Sequence, residues 1–288
     1  MQIKTVGLIL KKDSEKTRVI CDDIIHWLKM KDLQVKIDSI SPDLDILIIL
    51  GGDGTLLHVA NQASRYGIPV VGVNLGDLGF LTEVAVDERF HALEKILHSE
   101  FEIEERMMLK VRLCKTDGDT PWSYALNDVV ISKGTIDRLV RLSTWADEEY
   151  ITTYKADGLV FSTPTGSTAY NLSAGGPIIR PDLQSIVVTP ICPFMLESRP
   201  VLLPPHVRLN TKVAGPVNDV KVIIDGQSSW DMHEDDILEI VAAEKPLLLI
   251  SSPNKGYFEI LRSKLNWGGV AHPDLTKLSA IKKGQCKS

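Results

Sequence analysis

The residues Gly51-Gly52-Asp53-Gly54-Thr55 place one carboxylate inside a glycine-rich turn, directly after the apolar run 46–50. Glycines let a backbone approach a ligand closely, and the free N–H groups of a following helix favour phosphate oxygens. Beside such phosphates, Asp53 could hold a divalent metal on a nucleotide, or orient and deprotonate an attacking hydroxyl. Both roles belong to phosphoryl transfer, although a tight strand-to-helix turn with Asp53 as a solvated cap explains these five residues equally well.

Two better-known phosphate loops are excluded. The chain contains no G-x-x-x-x-G-K-[ST] segment, and Leu57 stands where the dinucleotide fingerprint G-x-G-x-x-G requires its third glycine. A nucleotide loop at residues 51–55 is therefore of a different kind.

A second segment, TPTGSTAY at residues 163–170 followed by SAGGP at 173–177, concentrates hydroxyls and glycines after the apolar run 159–162. Hydroxyl and amide groups of this kind bind ribose and phosphate. Segments rich in Ser, Thr, Gly and Pro are also common as plain loops, so the composition alone does not decide between the two.

Further polar residues stand at positions that a ligand would explain. Asn127 and Asp128 interrupt the apolar run 126–131, where short polar groups need either partners or a bend in the strand. The Asp-Gly pairs at 157–158 and 225–226 are typical of hairpin turns. His58 and Arg138 taken singly are most simply solvated side chains.

The periodicity predicts the elements that position these residues. Short apolar runs alternate with helical patterns over the first hundred residues, which is typical of a parallel sheet covered by helices. We expect strands at 6–10, 46–50 and 70–73, and helices through 20–28, 56–67 and 90–97. From about Phe101 the period changes to that of half-buried strands, predicted at 109–113, 125–132, 159–162, 220–224 and 237–241, with a last helix at 258–265.

Composition restricts the class of protein. The 288 residues are 44% hydrophobic and 24% charged, which suits a folded, water-soluble body. The 38 acidic and 32 basic residues are interspersed and give a net charge of −6, so nucleic acid is not expected as a partner. No apolar run approaches a membrane span or a signal-peptide core, and the four widely spaced cysteines form no zinc or redox pattern. We expect a cytoplasmic protein with reduced thiols and no membrane partner.

Together, GGDG, the later Asn127-Asp128 pair and TPTGSTAY resemble the NAD kinase family in their order and separation, over roughly residues 6–268. The glycine–aspartate segment alone is shared with lipid kinases and resembles phosphofructokinase loops, but its combination with residues 163–170 is specific. The resemblance implies an N-terminal doubly wound α/β domain (1–104) and a larger, β-rich, sandwich-like C-terminal domain (105–255). It also implies a terminal segment (256–288) that returns to the first domain.

The resemblance also implies a function: phosphorylation of the adenosine 2′-hydroxyl of NAD, with ATP as donor and Mg²⁺ as the metal. By the same carry-over Asp53 is the catalytic acid–base residue or a metal-side carboxylate. The implied dinucleotide contacts are Asp53, Gly54, His58, Asn127, Asp128, Arg138, Lys155, Asp157, Thr168, Ala169, Tyr170, Asn171, Leu172, Ser173 and Gln227. Phe194 stands where the family often has histidine, so no role is carried over to it.

Two other functions remain open at this level. A lipid or sphingoid kinase shares the glycine–aspartate loop but needs an apolar entry for its substrate, and no segment here indicates one. A catalytically silent NAD(H)-binding sensor would keep the pocket and lose turnover. The family resemblance implies a homodimer or homotetramer, whereas the donor range and the acceptance of NADH are not encoded in any motif.

Overall fold

The computed structural model describes residues 3–11, 15–76, 79–134, 139–215, 219–252 and 256–267. Its N-terminal part alternates strands and helices as the apolar periodicity predicts. The elements are β1 (Thr5–Leu10), α1 (Glu15–Met30), β2 (Gln34–Ile37), β3 (Ile46–Gly51), α2 (Asp53–Tyr66), β4 (Val70–Asn74), β5 (Val84–Ala85), α3 (Arg89–Leu97) and β6 (Ile103–Arg106).

The C-terminal part is built almost entirely from strands. They are β7 (Leu109–Cys114), β8 (Ser123–Ala125), β9 (Asp128–Lys133), β10 (Val140–Ala146), β11 (Glu149–Ala156), β12 (Gly158–Ser162), β13 (Ile186–Ile191), β14 (Val201–Leu203), β15 (Leu209–Val213), β16 (Val220–Ile224), β17 (Ser228–Met232), β18 (Ile237–Ala242) and β19 (Leu247–Ile250), with helices α4 (Tyr170–Ser173) and α5 (Tyr257–Leu265).

The first sheet has the order β2-β1-β3-β4-β19-β6 over the described residues, and β1 to β4 run parallel. Side chains of β3 alternate between two cores because successive residues of a strand point to opposite faces. Ile46, Ile48 and Leu50 pack in the core that α1 and α3 cover, whereas Leu47 and Ile49 pack in the core that α2 covers. Helices on both faces make this sheet doubly wound, as predicted.

Within the described residues, the second part consists of two six-stranded sheets, β11-β10-β15-β18-β7-β8 and β14-β13-β12-β9-β16-β17. Val111 from the sheet that contains β7 and Phe161 from the sheet that contains β12 belong to one buried core, which confirms a sandwich. Each fully buried side chain of this kind contributes about 1.5–3 kcal/mol.

The predicted strand 125–132 is wrong as a single element. It divides into β8 and β9, which belong to different sheets of the sandwich. The division falls at Leu126 and Asn127, whose N–H groups donate to the Asp225 carboxylate instead of to a neighbouring strand. The apolar run is continuous in sequence, but its hydrogen-bond partners change at this point.

The chain rejoins the first sheet at β19, which pairs with β4 and β6. This return lies upstream of residue 256, the predicted start of the returning segment. The last helix follows at Tyr257–Leu265, close to the predicted bounds of 258–265. Gly268 and Gly269, which follow it in the sequence and are typical of a helix end, lie outside the described residues. Among the described residues, no helix combines the length and apolar character that a membrane span requires.

Candidate active site

Asp53 is the first residue of α2, at the carboxyl edge of the parallel strands. Gly52 caps the helix without a side-chain hydrogen bond, so the N–H groups of the first turn are not capped by a side chain. Unsatisfied N–H groups at a helix N-terminus attract phosphate oxygens. This edge of the sheet is where ligands bind in open α/β folds.

The Asp53 carboxylate is fixed by the segment that follows β4. Oδ1 accepts hydrogen bonds from the Leu81 and Thr82 N–H groups and from the Thr82 hydroxyl, at 3.1, 3.0 and 2.9 Å. Oδ2 accepts one, from the Phe80 N–H at 2.8 Å, among the residues that the structure describes. A carboxylate oxygen offers about two acceptor positions, so Oδ2 retains capacity for a further donor.

The loop that holds Asp53 is fixed in turn by Glu83, the residue that follows it. Glu83 is buried and accepts a hydrogen bond from the Ser252 N–H at 2.9 Å, with the Arg106 guanidinium 3.9 Å away. Burial raises the pKa of Glu83 most, and the negative charge of Asp53 contributes in the same direction. The motifs in the sequence do not identify this loop, which is marked only by Gly76 and Gly79 after a buried strand.

Asn127 and Asp128 lie where the chain crosses between the two sheets of the sandwich. The Asp225 carboxylate accepts hydrogen bonds from three successive N–H groups: Leu126 to Oδ2 at 2.8 Å, Asn127 to Oδ1 at 2.8 Å and Asp128 to Oδ1 at 3.0 Å. This clamp sets the backbone of both candidate ligand residues, whereas the sequence interpretation assigned Asp225 only to a hairpin turn. The turn itself is confirmed, since β16 and β17 pair on either side of it.

The Asp128 side chain is buried. Burial raises its pKa to about 7, the nearby charge of Asp225 adds to this, and the Tyr170 N–H acts in the opposite direction. The Asn127 side chain is half-buried and has no hydrogen-bond partner among the described residues. Both groups are thus available for polar contacts with a ligand.

The hydroxyl-rich segment packs directly on this crossing. The Thr163 N–H donates to the Asn127 carbonyl at 2.9 Å, and the Thr163 hydroxyl donates to the Leu126 carbonyl at 2.6 Å. A Cβ at Gly166 would lie 2.0 Å from the Asn127 carbonyl oxygen, so only glycine permits this approach. The segments 126–128, 163–168 and 225–227 therefore form one cluster.

Residues 168–173, which the resemblance makes dinucleotide contacts and which we call the adenosine wall, differ in their exposure to solvent. Tyr170 and Ser173 are exposed, and Thr168, Ala169 and Leu172 are half-buried. Asn171 is fully buried: its Nδ2 donates to the carbonyls of Ser167 and Pro177, both at 3.1 Å, and its Oδ1 accepts from Thr189 at 2.7 Å. The Asn171 side chain therefore supports the loop from inside.

Gln227 joins the two parts of the site. Its Nε2 donates to the Gly54 carbonyl at 3.3 Å, which connects the hairpin turn of the sandwich to the glycine loop of the first sheet. His58 is exposed one turn further along α2. Both line a cleft of about 1090 Å³ beside Gly54.

Lys155 and Asp157 lie apart from this cluster. Asp157 precedes Gly158, at the opposite end of β12 from Ser162, which pairs with Asp128. Four residue steps along a strand correspond to ~13 Å. Asp157 pairs with Lys133 at 2.6 Å, and the Lys155 ammonium lies 4.2 Å from the centre of the exposed Phe194 ring.

One predicted feature of this region is wrong, and one predicted contact residue lies outside the described part of the chain. Because β11 and β12 belong to different sheets, the predicted hairpin at 157–158 is wrong. Arg138 lies outside the described residues.

The Asp53 carboxylate lies at a helix start between glycines, and Gln227 connects this glycine loop to the sandwich that carries the hydroxyl-rich segment. Such a combination suits a nucleotide phosphate and an attacking alcohol. The fold and the site define a two-part phosphotransferase. The ATP-NAD kinase N-terminal domain family matches residues 7–101, and the ATP-NAD kinase C-terminal domain family matches residues 126–252. The chain belongs to the NAD kinase family.

Known relatives agree along nearly the whole chain. The NAD kinase of Syntrophobacter fumaroxidans is 42% identical over 281 residues, covering 92% of this chain and 99% of that protein. The NAD kinase of Syntrophotalea carbinolica is 41% identical over 283 residues, with the same coverage. The crystal structure of yeast NADH kinase complexed with NADH is similar at a TM-score of 0.85 and 25% identity, covering 94% of this chain and 89% of that one. An NAD kinase from Archaeoglobus fulgidus in complex with ATP shares the fold, at a TM-score of 0.74 and 24% identity over 90% of this chain and 99% of that one.

Proposed function

We propose that this chain transfers the γ-phosphoryl group of ATP to the 2′-hydroxyl of the adenosine ribose of NAD, giving NADP. The observation that carries the proposal is the Asp53 carboxylate, held rigidly by the loop 80–82 while Oδ2 keeps an acceptor position. A carboxylate oriented in advance at a helix N-terminus can position an alcohol next to a phosphate.

We assign the adenosine half of NAD to the crossing at 126–128, which Asp225 fixes, and to the exposed residues of the adenosine wall. Asn127 and Asp128 supply polar side chains, and Tyr170 supplies an aromatic face. With a pKa of about 7, Asp128 is present near neutral pH in both protonation states, so it can donate or accept a hydrogen bond. Further contacts beyond the reacting ribose come from Gly54, His58, Thr168, Ala169, Leu172, Ser173 and Gln227.

The residues present fit a magnesium ion that arrives with the nucleotide. Among the described residues, no group of three or more His, Cys, Asp or Glu side chains could hold a metal by itself. Mg²⁺ is usually bound through one or two carboxylates, water and substrate phosphates, without a dedicated protein cage. Asp53 and the donor phosphates would hold it, and the ion supplies neutralisation of the triphosphate charge.

The chain's own residues then act by positioning. Asp53 Oδ2 accepts the hydrogen bond of the 2′-hydroxyl and aligns its oxygen with the γ-phosphorus. The N–H groups of the first turn of α2 bind phosphate oxygens. Since the phosphoryl transition state needs little covalent chemistry from the protein, orientation and electrostatics supply most of the rate.

The test is NADP formation from NAD, ATP and Mg²⁺, coupled to an NADP-specific dehydrogenase, for the wild type and Asp53→Asn. Turnover of Asp53→Asn should fall by roughly 10²- to 10⁴-fold while nucleotide binding is retained. Asp45→Asn is the matched control, because Asp45 also accepts two backbone N–H bonds, from Lys4 and Thr5 at 2.8 Å each, but at the opposite edge of the sheet. Its turnover should equal that of the wild type.

An Asp53→Asn enzyme as active as the wild type would remove the role given to Asp53. Folded wild-type protein that binds NAD without turnover would favour the silent sensor, and phosphorylation of a lipid alcohol in place of NAD would favour the lipid kinase.

We also propose that the chain forms a homodimer or homotetramer and is located in the cytoplasm. Phe194, Met195 and Leu196 form an exposed apolar loop, with Leu196 85% exposed, and such residues are commonly covered in an oligomer. Sedimentation of the wild type and of Leu196→Ser tests it: the variant should dissociate towards monomers.

A further inference from the structure

Two buried polar side chains, those of Asn74 and Thr82, lie behind the Asp53 carboxylate and have not been given a role so far. Asn74 is the last residue of β4 and pairs with Gly51 of β3, two residues before Asp53. Asn74 is 5% exposed and Thr82 is completely buried. Burying polar groups costs free energy unless they are hydrogen-bonded, so their partners indicate what they do.

The orientation of the Asn74 amide is fixed by its partners. Its Oδ1 accepts a hydrogen bond from the Gly76 N–H at 2.8 Å, which identifies the other terminal atom as nitrogen. Nδ2 donates to the Thr82 hydroxyl oxygen at 2.8 Å and, over a longer distance of 3.4 Å, to the Thr82 carbonyl. An amide nitrogen does not accept hydrogen bonds, so Thr82 cannot donate its hydroxyl proton to this atom.

The Thr82 hydroxyl therefore donates to Asp53. A hydroxyl has one proton, and its other partner among the described residues is Asp53 Oδ1, at 2.9 Å. Oδ1 thus accepts three hydrogen bonds, two of them from the Leu81 and Thr82 N–H groups, whereas Oδ2 accepts one from Phe80. A Cβ at Gly79 would collide with both Asp53 Oδ1 and the Thr82 hydroxyl, so this side of the carboxylate is also enclosed.

We infer that Asn74 and Thr82 are positioning residues for the transfer step: Asn74 directs the Thr82 hydroxyl, and this hydroxyl keeps Asp53 Oδ1 away from the substrate and Oδ2 free for it. The inference rests on the proposed kinase function and adds two residues to it. A carboxylate can exchange its two oxygens by rotation about a single bond, and the rotation is broad when nothing holds either oxygen. A carboxylate held in one orientation does not have to be ordered in the transition state.

The experiment separates the hydroxyl of Thr82 from its methyl group. Thr82→Val keeps the shape of the side chain and removes the hydroxyl, whereas Thr82→Ser keeps the hydroxyl and removes the methyl, which lies against Gly72. In Thr82→Val, kcat for NADP formation should fall about 10- to 100-fold, with the KM values for NAD and ATP within about threefold of the wild type. In Thr82→Ser, kcat should stay within about threefold of the wild type.

Thr144→Val is the matched control for the loss of a buried threonine hydroxyl. Thr144 is completely buried on β10, and its hydroxyl is hydrogen-bonded to that of Thr211 on β15 at 3.1 Å, outside the cluster that forms the site. Its melting temperature should fall while its kcat stays at the wild-type value. Melting temperatures of all variants show whether a change in kcat accompanies a loss of stability.

Asn74→Leu tests whether Asn74 acts through the Thr82 hydroxyl. Alone, it should lower kcat by less than Thr82→Val does, because an undirected hydroxyl can still donate to Asp53 for part of the time. In the double variant Asn74→Leu/Thr82→Val, kcat should equal that of Thr82→Val, because the group through which Asn74 acts is then absent.

A wild-type kcat in Thr82→Val would overturn the inference. Equal losses of kcat in Thr82→Ser and Thr82→Val, or losses that multiply in the double variant, would overturn it as well, since they would indicate a structural role only. If Thr82→Val does not fold, Thr82→Ala and Thr82→Ser provide the same comparison, because they differ by the hydroxyl alone; equal kcat values for these two would again be contrary. Failure of the proposed function has a different signature, since the wild type itself would then make no NADP.

Discussion

The Asp225 clamp leads to a prediction that separates positioning of the ligand residues from general stability. Asp225 sits in the turn between β16 and β17 at φ 49°, and its carboxylate holds three successive N–H groups of the crossing at Leu126, Asn127 and Asp128. Asp225→Asn keeps the size of the side chain and removes one acceptor oxygen. The crossing should therefore shift while the sandwich remains folded.

The stability cost of Asp225→Asn depends on how many acceptor atoms remain for the three N–H groups. With the amide oxygen in place of Oδ1, the bonds from Asn127 and Asp128 persist, but the amide nitrogen faces the Leu126 N–H. Leu126 is fully buried, so this donor is left without a partner at a cost of about 1–3 kcal/mol. Asp225→Ala would leave all three N–H donors without a partner. If the costs add, the loss of unfolding free energy is about 3–9 kcal/mol, which approaches the total stability of many domains.

The assay combines chemical denaturation with steady-state kinetics. Asp225→Asn should lose about 1–3 kcal/mol of unfolding free energy. Its KM for NAD should rise about tenfold or more, because losing the Leu126 bond lets the crossing shift and carries the side chains of Asn127 and Asp128 with it. The mutation also removes a charge that raises the pKa of Asp128, so the titration of Asp128 should move to lower pH. Carboxyl resonances in a ¹³C NMR titration would follow this shift.

The control is Asp147→Asn, in the turn between β10 and β11. Asp147 has a similar φ of 51°, and its Oδ1 accepts a single hydrogen bond, from the Arg208 N–H at 3.0 Å, which an asparagine oxygen can keep. Stability and KM should both stay near wild type. An Asp225→Asn protein that loses stability but binds NAD as well as the wild type would refute the positioning argument.

Two more predictions follow from the same cluster. The folded-state pKa of Asp128 is about 7, above its ordinary 3.8, so the native state holds this proton more tightly than the unfolded chain. Its contribution to stability is therefore complete below about pH 4, is lost as pH rises through 7, and amounts to ~4 kcal/mol at most. Denaturant unfolding between about pH 4 and 8 should show a smaller decline for Asp128→Asn, and equal slopes would contradict the burial argument. Gly166→Ala should unfold at a much lower temperature than the wild type, because its Cβ would meet the Asn127 carbonyl. Gly54→Ala has no atom within 4 Å of its Cβ, so it should melt like the wild type and lose turnover. Equal melting temperatures for the two variants would show that the loops yield.

The first part of the fold could be predicted because its signals are local. The run Ile46–Gly51 is apolar on both faces, and α2 ends at Gly67, whose φ of 68° is left-handed and favours glycine. Several strands of the sandwich, among them β10 and β11, were missed because their signals are weaker. Strand Glu149–Ala156 is largely half-exposed and carries polar residues on much of its length, so its alternation is hard to recognise.

The site could be predicted in its residue types but not in its support. Asp53, Asn127, Asp128 and Tyr170 belong to recognisable motifs. The groups that hold them are remote in sequence: 27 residues separate Asp53 from Phe80, and 99 separate Leu126 from Asp225. Apart from the Thr82 hydroxyl, these carboxylates bind backbone N–H groups, which any side chain can accompany, so the partner segments carry little sequence pattern.

The two aspartate clamps together explain why the glycine loop and the crossing act as one site. Asp53 binds the loop 80–82 of the first part, Asp225 binds the crossing 126–128 of the second, and the turn that carries Asp225 reaches Gly54 through Gln227. The loop 80–82 and the crossing 126–128 are both irregular backbone. In each, a carboxylate accepts the hydrogen bonds that a neighbouring strand would otherwise accept from the N–H groups. Backbone held in this way is ordered before the substrate arrives, so binding energy is not spent on folding the loops.

The bond between Gln227 and Gly54, at 3.3 Å, is longer than the bonds within either clamp, and it is the weakest connection in this chain of contacts. The two parts also share a buried core, to which Leu126 of the crossing and Leu56 and Ala60 of α2 belong, so their relative position does not depend on this bond alone.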